Sequence, residues 1–241
     1  MTLASFKKFN RFYGRRKGRK LSETNVLALK EGSRYLIKTY NFCLNKKLVF
    51  EDLCGFKPKK IILEIGFGSG ENLIKSAKLN SDILYVGADP FLNTNARCIK
   101  ELLKNKITNV MIWPDDIRQI IDYFPFNSFS EIKILFPDPW PKLKHKDRRL
   151  IQNNFLSSLY NILIPQGTIT LGTDHSIMKS WILESFQNHF GFEWKAKEEK
   201  DWSIRPSDCF STKYEQKSII ERRKPNWFIF EKQIRNNNNP I

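Results

Sequence analysis

The chain has 241 residues and carries 41 Lys and Arg against 25 Asp and Glu, a formal net charge of +16. This length suits one large α/β domain with or without a small appendage, and 27% charged residues exclude a fibrous or membrane chain of low charge. The excess of cations favours a polyanionic partner, because Lys and Arg release counterions from phosphates.

Residues 1 to 22 hold eight Lys and Arg and no acid, interleaved with Phe9, Phe12 and Tyr13 and broken by Gly14 and Gly18. They read as a mobile basic arm (1–21), with Arg15, Arg16, Lys17 and Arg19 placed to meet phosphates. No apolar stretch follows, so the start does not read as a secretory signal, and no run approaches the roughly 20 apolar residues of a membrane-crossing helix. Ser22 to Asn41 reads as a helix capped by Ser22.

From Lys60 the texture becomes alternating. Ile61 to Ile65 is a short apolar run ending at glycines, which is how a buried parallel strand reads. Helix (Gly70 to Leu79), strand (Ile83 to Gly87), helix (Asn93 to Asn105) and strand (Val110 to Ile112) follow, then a helix-like Ile117 to Phe124. A fourth strand at Ile132 to Phe136, a helix at Arg148 to Leu163, a fifth strand at Thr168 to Leu171 and a helix at His175 to Asn188 continue the alternation. Two last strands, Phe192 to Lys195 and Trp227 to Phe230, are separated by a long loop. Repeated β-α units predict an α/β fold, Rossmann-like and doubly wound, with a mostly parallel seven-stranded sheet and helices on both faces. One domain is expected over 22–235, with a polar disordered tail at 236–241. The cysteines Cys43, Cys54, Cys98 and Cys209 form no C-x-x-C pair, so no metal site is expected, and their scatter suits a reducing cytoplasm.

Glu64-Ile-Gly66-Phe-Gly68-Ser-Gly70 follows the first strand and opens a helix, so its glycines let the backbone turn sharply against a ligand. The spacing is G-x-G-x-G rather than the G-x-G-x-x-G of a nicotinamide dinucleotide site. Glu64 would repel a pyrophosphate but suits a ligand with an ammonium and a sulfonium, which favours S-adenosylmethionine. Asp89 ends the second strand, where an acid grips ribose hydroxyls. After the third strand, Asp115 and Asp116 compete to accept from the adenine amino group, and either could serve only as a helix cap.

The fourth strand runs into Phe136-Pro-Asp138-Pro-Trp140-Pro-Lys142. Prolines fix a rigid loop around Asp138 at the ligand-binding edge. Trp140 can stack on a base, and Lys142, Lys144, Lys146, Arg148 and Arg149 follow as a phosphate path with His145 among them. This stretch, continuing through Lys146-Asp-Arg-Arg-Leu150 to Phe155, resembles the hallmark of bacterial tRNA (guanine-N7)-methyltransferases. Tyr13-Gly-Arg-Arg-Lys-Gly-Arg19 is similar to that family's basic arm, Glu64 to Gly70 to its cofactor loop, and Thr173-Asp174 and Thr212-Lys-Tyr-Glu215 to its later substrate motifs.

The resemblance implies that Glu64, Asp89 and Asp115 bind S-adenosylmethionine and that Asp138 is the catalytic acid, also near the methyl donor. It implies that Lys142, Asp174, Thr212, Lys213, Tyr214 and Glu215 bind a guanosine of the tRNA variable loop. The sequence departs from the family at three points: Asp89 and Pro90 stand where Glu is usual, Ser218 stands where Gly is usual, and His175 follows Asp174. The activity implied is methylation of guanine N7 in tRNA by a cytoplasmic enzyme, as monomer or homodimer, with no protein partner and no membrane. The competing readings are a methyltransferase of another RNA base or atom, a non-catalytic tRNA-binding scaffold, and a nicotinamide-dependent oxidoreductase.

Overall fold

The structure is a computed structural model that describes residues 12–38 and 47–234. The beginning of the basic arm, the end of the helix expected at 22–41 and the expected tail at 236–241 lie outside the described residues. The chain divides into two compact units at Pro125 and Phe126.

In the first unit, β1 (Lys60–Ile65), β2 (Ile83–Ala88) and β3 (Val110–Trp113) run parallel, with β2 in the middle. Ile62 pairs with Tyr85 and Tyr85 with Val110, so the three share one face. There they bury against Leu73 and Ala77 of α3 (Glu71–Leu79) and Cys98, Ile99 and Leu102 of α4 (Leu92–Lys104). Each buried leucine or isoleucine among them contributes roughly 1.5–3 kcal/mol through the apolar surface it hides. α1 (Glu23–Glu31) opens as expected, with Ser22 accepting from the Asn25 amide, but stops well before Asn41. Gly32 begins a 3₁₀ turn in which an added Cβ would lie 2.1 Å from Ile99, so only glycine permits the approach. Tyr35 then buries and its hydroxyl donates to the Ile107 carbonyl at 2.7 Å. α2 (Phe50–Cys54), which the sequence pattern does not announce, ends at Gly55 with φ 76° and stacks Phe50 on Phe124. The helix expected over 117–124 is two 3₁₀ turns, because Ile120 at φ −122° breaks the helical path between them.

In the second unit, β4 (Phe129–Leu135) and β5 (Leu163–Thr173) are parallel. β7 (Asn226–Lys232) is antiparallel to β5 and to β6 (Phe192–Trp194). The helix expected from Arg148 begins later, as α5 (Asn153–Ile162), because Leu143–Arg148 forms a 3₁₀ turn and Arg149 is extended. α6 (Ser176–Gln187) packs Phe186 on Phe230 with ring centroids 3.9 Å apart. The expected long loop contains α7 (Lys200–Ser203) and α8 (Lys213–Ile220). The pattern of α8 hides it, since Glu215 and Ser218 are buried while Ile219 and Ile220 face solvent. Together the strands form a seven-stranded sheet in the order β3-β2-β1-β4-β5-β7-β6, the mostly parallel α/β arrangement expected from the sequence.

Two buried lysines in the second unit are tied in different ways. Lys232 donates to Asn127 and to the Tyr160 and Leu163 carbonyls at the end of α5, satisfying groups the helix leaves open. Lys133, inside β4, donates to the Asp208 carboxylate and carbonyl, both at 2.8 Å, and lies 3.4 Å from Glu131. Burial opposes its charge, yet Glu131, Cys209 and Asp208 together hold its pKa above the ordinary lysine range. Glu131 is the more distant carboxylate, and burial raises it to about 7 against the pull of Lys133.

A carboxyl raised above its ordinary 4.5 adds stability only while protonated. That contribution is complete below about 4.5 and is lost as pH climbs towards about 7. Urea unfolding of the wild type and of Glu131→Gln across this window should therefore diverge. The wild type is expected to lose about 3 kcal/mol that the glutamine variant keeps. Parallel pH profiles for the two proteins would contradict this assignment.

Candidate active site

In the first unit, Glu64 ends up beside Gly87 through the β1–β2 register, and the chain turns immediately after β1. Gly66, Gly68 and Gly70 all take positive φ, at 74°, 58° and 83°, which favours glycine at each. Gly70 also has no room for a side chain, since an added Cβ would lie 2.6 Å from the Cys98 sulfur. At Gly66, by contrast, nothing lies within 4 Å of that position, leaving backbone facing open space. Glu64 is buried and accepts from Asn72 at 2.8 Å. Asp89 is buried too: Oδ2 accepts from the Gly68 amide at 2.9 Å and Oδ1 from the Phe91 amide and the Thr94 hydroxyl. The short Asp89 side chain thus ties the glycine loop to the start of α4. Open space over a glycine turn flanked by two buried carboxylates fits a donor carrying ammonium and sulfonium groups, and fits a pyrophosphate poorly.

Asp115 and Asp116 take different partners. Asp116 is the cap: it accepts from the Arg118 amide and receives the Arg118 guanidinium on both oxygens, at 3.0, 3.1 and 2.6 Å. Asp115 is more exposed and pairs with Arg16 of the basic arm. The described part of that arm, read from sequence as mobile, is laid against α4. The Arg16 carbonyl accepts from the Leu92 amide, and Asn93 bonds both the Gly18 amide and the Arg19 carbonyl. Arg15, Lys17 and Arg19 remain exposed.

In the second unit, β4 stops at Leu135, and Phe136 takes the left-handed φ of 55°, a strained value for an aromatic residue. Its amide still donates to Gly172, and its ring meets Trp227 edge-on at 5.7 Å. This turn presents Asp138 at the surface, where loss of water from the surrounding protein raises its pKa. Lys142, Lys144 and Lys146 are exposed, and Arg148 lies over the Trp140 ring at 5.1 Å. Arg149 corrects the sequence reading. It is buried, donates to the Pro139 and Trp140 carbonyls at 3.2 Å and lies over Trp181, so it braces the proline loop from within the fold and does not stand at the surface with the lysines.

Asp174 follows β5 and accepts from Arg223 at 2.7 Å. His175, unusual at its position, caps α6 by accepting from the Ile177 amide. Thr212 caps α8 by accepting from the Glu215 amide at 3.2 Å. Glu215 is buried and accepts from Arg205 at 2.7 Å, while Lys213 and Tyr214 lie at the surface with the lysine over the ring. Ser218, where glycine is usual, is fully buried and its hydroxyl donates to the Glu215 carbonyl at 2.7 Å, so the serine fits without disturbing the helix. Arg205, Arg223, Arg118 and Asn72 were not legible in sequence, where the only signal was that buried acids require donors.

The comparisons with known proteins agree on one family. A family model described as "Putative methyltransferase" matches residues 58–227. The tRNA (guanine-N(7)-)-methyltransferase of Hyphomonas neptunium is 35% identical over 222 residues, covering 91% of this chain and 98% of that one. The enzyme of the same name from Rhodospirillum rubrum is 31% identical over 226 residues, covering 93% and 89%. The chain belongs to the tRNA (guanine-N(7)-)-methyltransferase family. Among solved structures, the 16S rRNA methyltransferase KamB superposes with a TM-score of 0.58 at 13% identity, covering 77% of this chain and 93% of that one, which shows the shared fold. Among the described residues, no group of His, Cys, Asp and Glu is arranged to hold a metal ion, and no helix of this family member is long and apolar enough to cross a membrane.

Replacing Arg149 with Met would keep the bulk but leave two loop carbonyls without their donor. The expected loss is about 1–3 kcal/mol in urea unfolding, together with a changed Trp140 and Trp181 near-ultraviolet signal. An unaltered midpoint and spectrum would show that Arg149 does not brace the loop.

Proposed function

We propose that the protein transfers the methyl group of S-adenosylmethionine to N7 of a guanine in the tRNA variable loop, yielding 7-methylguanosine. Residues 22–235 serve as the methyltransferase domain behind a basic arm at 1–21. The observation that carries the reading is the pair of substrate-side acids, the rigid surface Asp138 and the buried Glu215 held by Arg205, within a chain of this family.

Guanine N7 has an in-plane lone pair and no hydrogen, so no base is needed to create the nucleophile. S-adenosylmethionine supplies an electrophilic methyl on a sulfonium; the N7–C bond forms as the C–S bond breaks and its electrons return to sulfur. The protein's task is alignment, which can supply roughly 7–11 kcal/mol, and stabilisation of the cationic purine as it develops. Asp138 suits the second task. Its raised pKa reflects lost water, and a neighbouring positive charge restores the ionised form. Glu215 and Asp174 are assigned to the base, since carboxylates accept from the guanine N1–H and N2–H₂ edge that adenine lacks. Glu64 and Asp89 are assigned to the methyl donor, with Gly66, Gly68 and Gly70 shaping the loop. Asp115 is assigned to the adenine in preference to Asp116, both of whose oxygens are taken by Arg118. Lys142 completes the guanosine site with the surface residues Lys213 and Tyr214 and the helix cap Thr212. Lys144, Lys146 and Arg148, with Arg15, Arg16, Lys17 and Arg19 of the arm, hold tRNA phosphates largely without regard to base.

Incubation with unmodified tRNA and methyl donor, followed by nucleoside mapping, should yield 7-methylguanosine in the variable loop. An N2- or N6-methyl product would replace this reading. Asp138→Asn should lower kcat by about 10²-fold or more through lost charge stabilisation, and the acid limb of the wild-type pH profile should disappear with it. Full turnover in Asp138→Asn would remove this residue from the mechanism. Calorimetry with S-adenosylhomocysteine separates the two neighbouring acids. Asp115→Asn should weaken binding about tenfold, a loss of about 1.4 kcal/mol, whereas Asp116→Asn should chiefly lower the melting temperature. The reverse pattern would exchange their roles.

A further inference from the structure

Lys133 occupies an interior position of β4 between Ile132 and Ile134, where an apolar residue would ordinarily pack. A buried ion pair is no better for stability than well-packed apolar side chains, so stability alone does not account for a lysine here. Its contacts point elsewhere. The ammonium grips both the carbonyl and the carboxylate of Asp208, in the segment that joins α7 to α8. The next residue, Cys209, buries with Leu135, Trp227 and Phe136, the residue whose left-handed turn leads to Asp138. On one side of this anchored point stands Arg205; on the other stands Thr212, which caps the helix bearing Glu215, and Arg205 closes back onto Glu215 at 2.7 Å.

We infer that Lys133 is a positioning residue for the guanine: by anchoring Asp208 to β4 it sets where Arg205 and Glu215 stand beside the turn that carries Asp138. This rests on the assignment of Glu215 to the base. Lys133 touches neither substrate nor methyl donor in this role. It acts through a segment that Cys209 also ties to the sheet, by packing against Leu135 and Trp227. The ion pair supplies a directional constraint, two bonds to one residue, that an apolar contact lacks. Glu131 on the same strand lies 3.4 Å from the ammonium, so Asp208 is the nearer of its two acidic neighbours.

The test is a double-mutant cycle on kcat/KM with unmodified tRNA, pairing Lys133→Met with Glu215→Gln. Lys133→Met should raise the KM for tRNA about tenfold and change kcat less, with Lys133→Arg restoring most of the loss. Binding of S-adenosylhomocysteine should stay within about twofold of wild type, because the bonds of Lys133 run to Asp208 and not to the residues assigned to the methyl donor. The double variant should lose clearly less than the product of the single losses, since both act on one guanine contact. Independent, multiplicative losses with an impaired Glu215→Gln enzyme would overturn the role of Lys133. Full activity of Glu215→Gln alone would instead overturn the underlying assignment of Glu215. Should Lys133→Met not fold, Asp208→Asn enters the same cycle with a smaller KM effect expected, because the bond from Lys133 to the main-chain carbonyl at that position remains while the charge pairing is lost.

Discussion

A carboxylate withdrawn from water is costly unless donors meet it, by several kcal/mol for an isolated charge. Much of the local architecture here follows from that constraint. Glu64 is met by Asn72, Asp89 by two amides and a hydroxyl, Asp116 by Arg118, and Glu215 by Arg205. Each bond that holds an acid also fixes a piece of backbone: the Asp89 bonds hold the glycine loop, Asp116 caps the turn after β3, and the Thr212 cap with Ser218 fixes the turn that bears Glu215. Positioning of acids and shaping of loops are therefore one event.

The same requirement divides the cations into two populations. Arg149, Lys133 and Lys232 are buried and committed to carbonyls and carboxylates of the protein, so they belong to its framework. Lys142, Lys144, Lys146, Arg15, Lys17 and Arg19 stand in solvent, where a phosphate can replace their water. Arg16 sits between the two groups, exposed yet paired with Asp115. A net charge of +16 therefore overstates the cations open to a polyanion, and position within the fold decides which of them are.

Backbone conformation adds the second layer. Three glycines with positive φ let the loop after β1 turn beside Glu64 without strain. Phe136 adopts a left-handed conformation at a cost of order 1–3 kcal/mol, held there by its amide bond to Gly172 and its edge contact with Trp227. The outcome is a short, stiff turn from the end of β4 to Asp138, braced from beneath by Arg149.

Much of this was written locally in the chain. Apolar runs ending in glycine announced the parallel strands. The order of Glu64 to Gly70, Asp89, Phe136 to Lys142 and Thr212 to Glu215 announced the family, because spacing within a loop is a property of consecutive residues. Helix boundaries were less legible: α1 stops at a glycine required by the approach of Ile99, and α8 is masked by polar residues on its buried side. What the linear sequence could not contain is the pairing of groups far apart along it. That Arg149 faces carbonyls rather than phosphates, that Asp116 rather than Asp115 is the cap, and that Lys133 reaches Asp208 all depend on strand register and turn geometry. Only the folded chain brings such residues within hydrogen-bonding distance, and only there does burial make each of those bonds necessary.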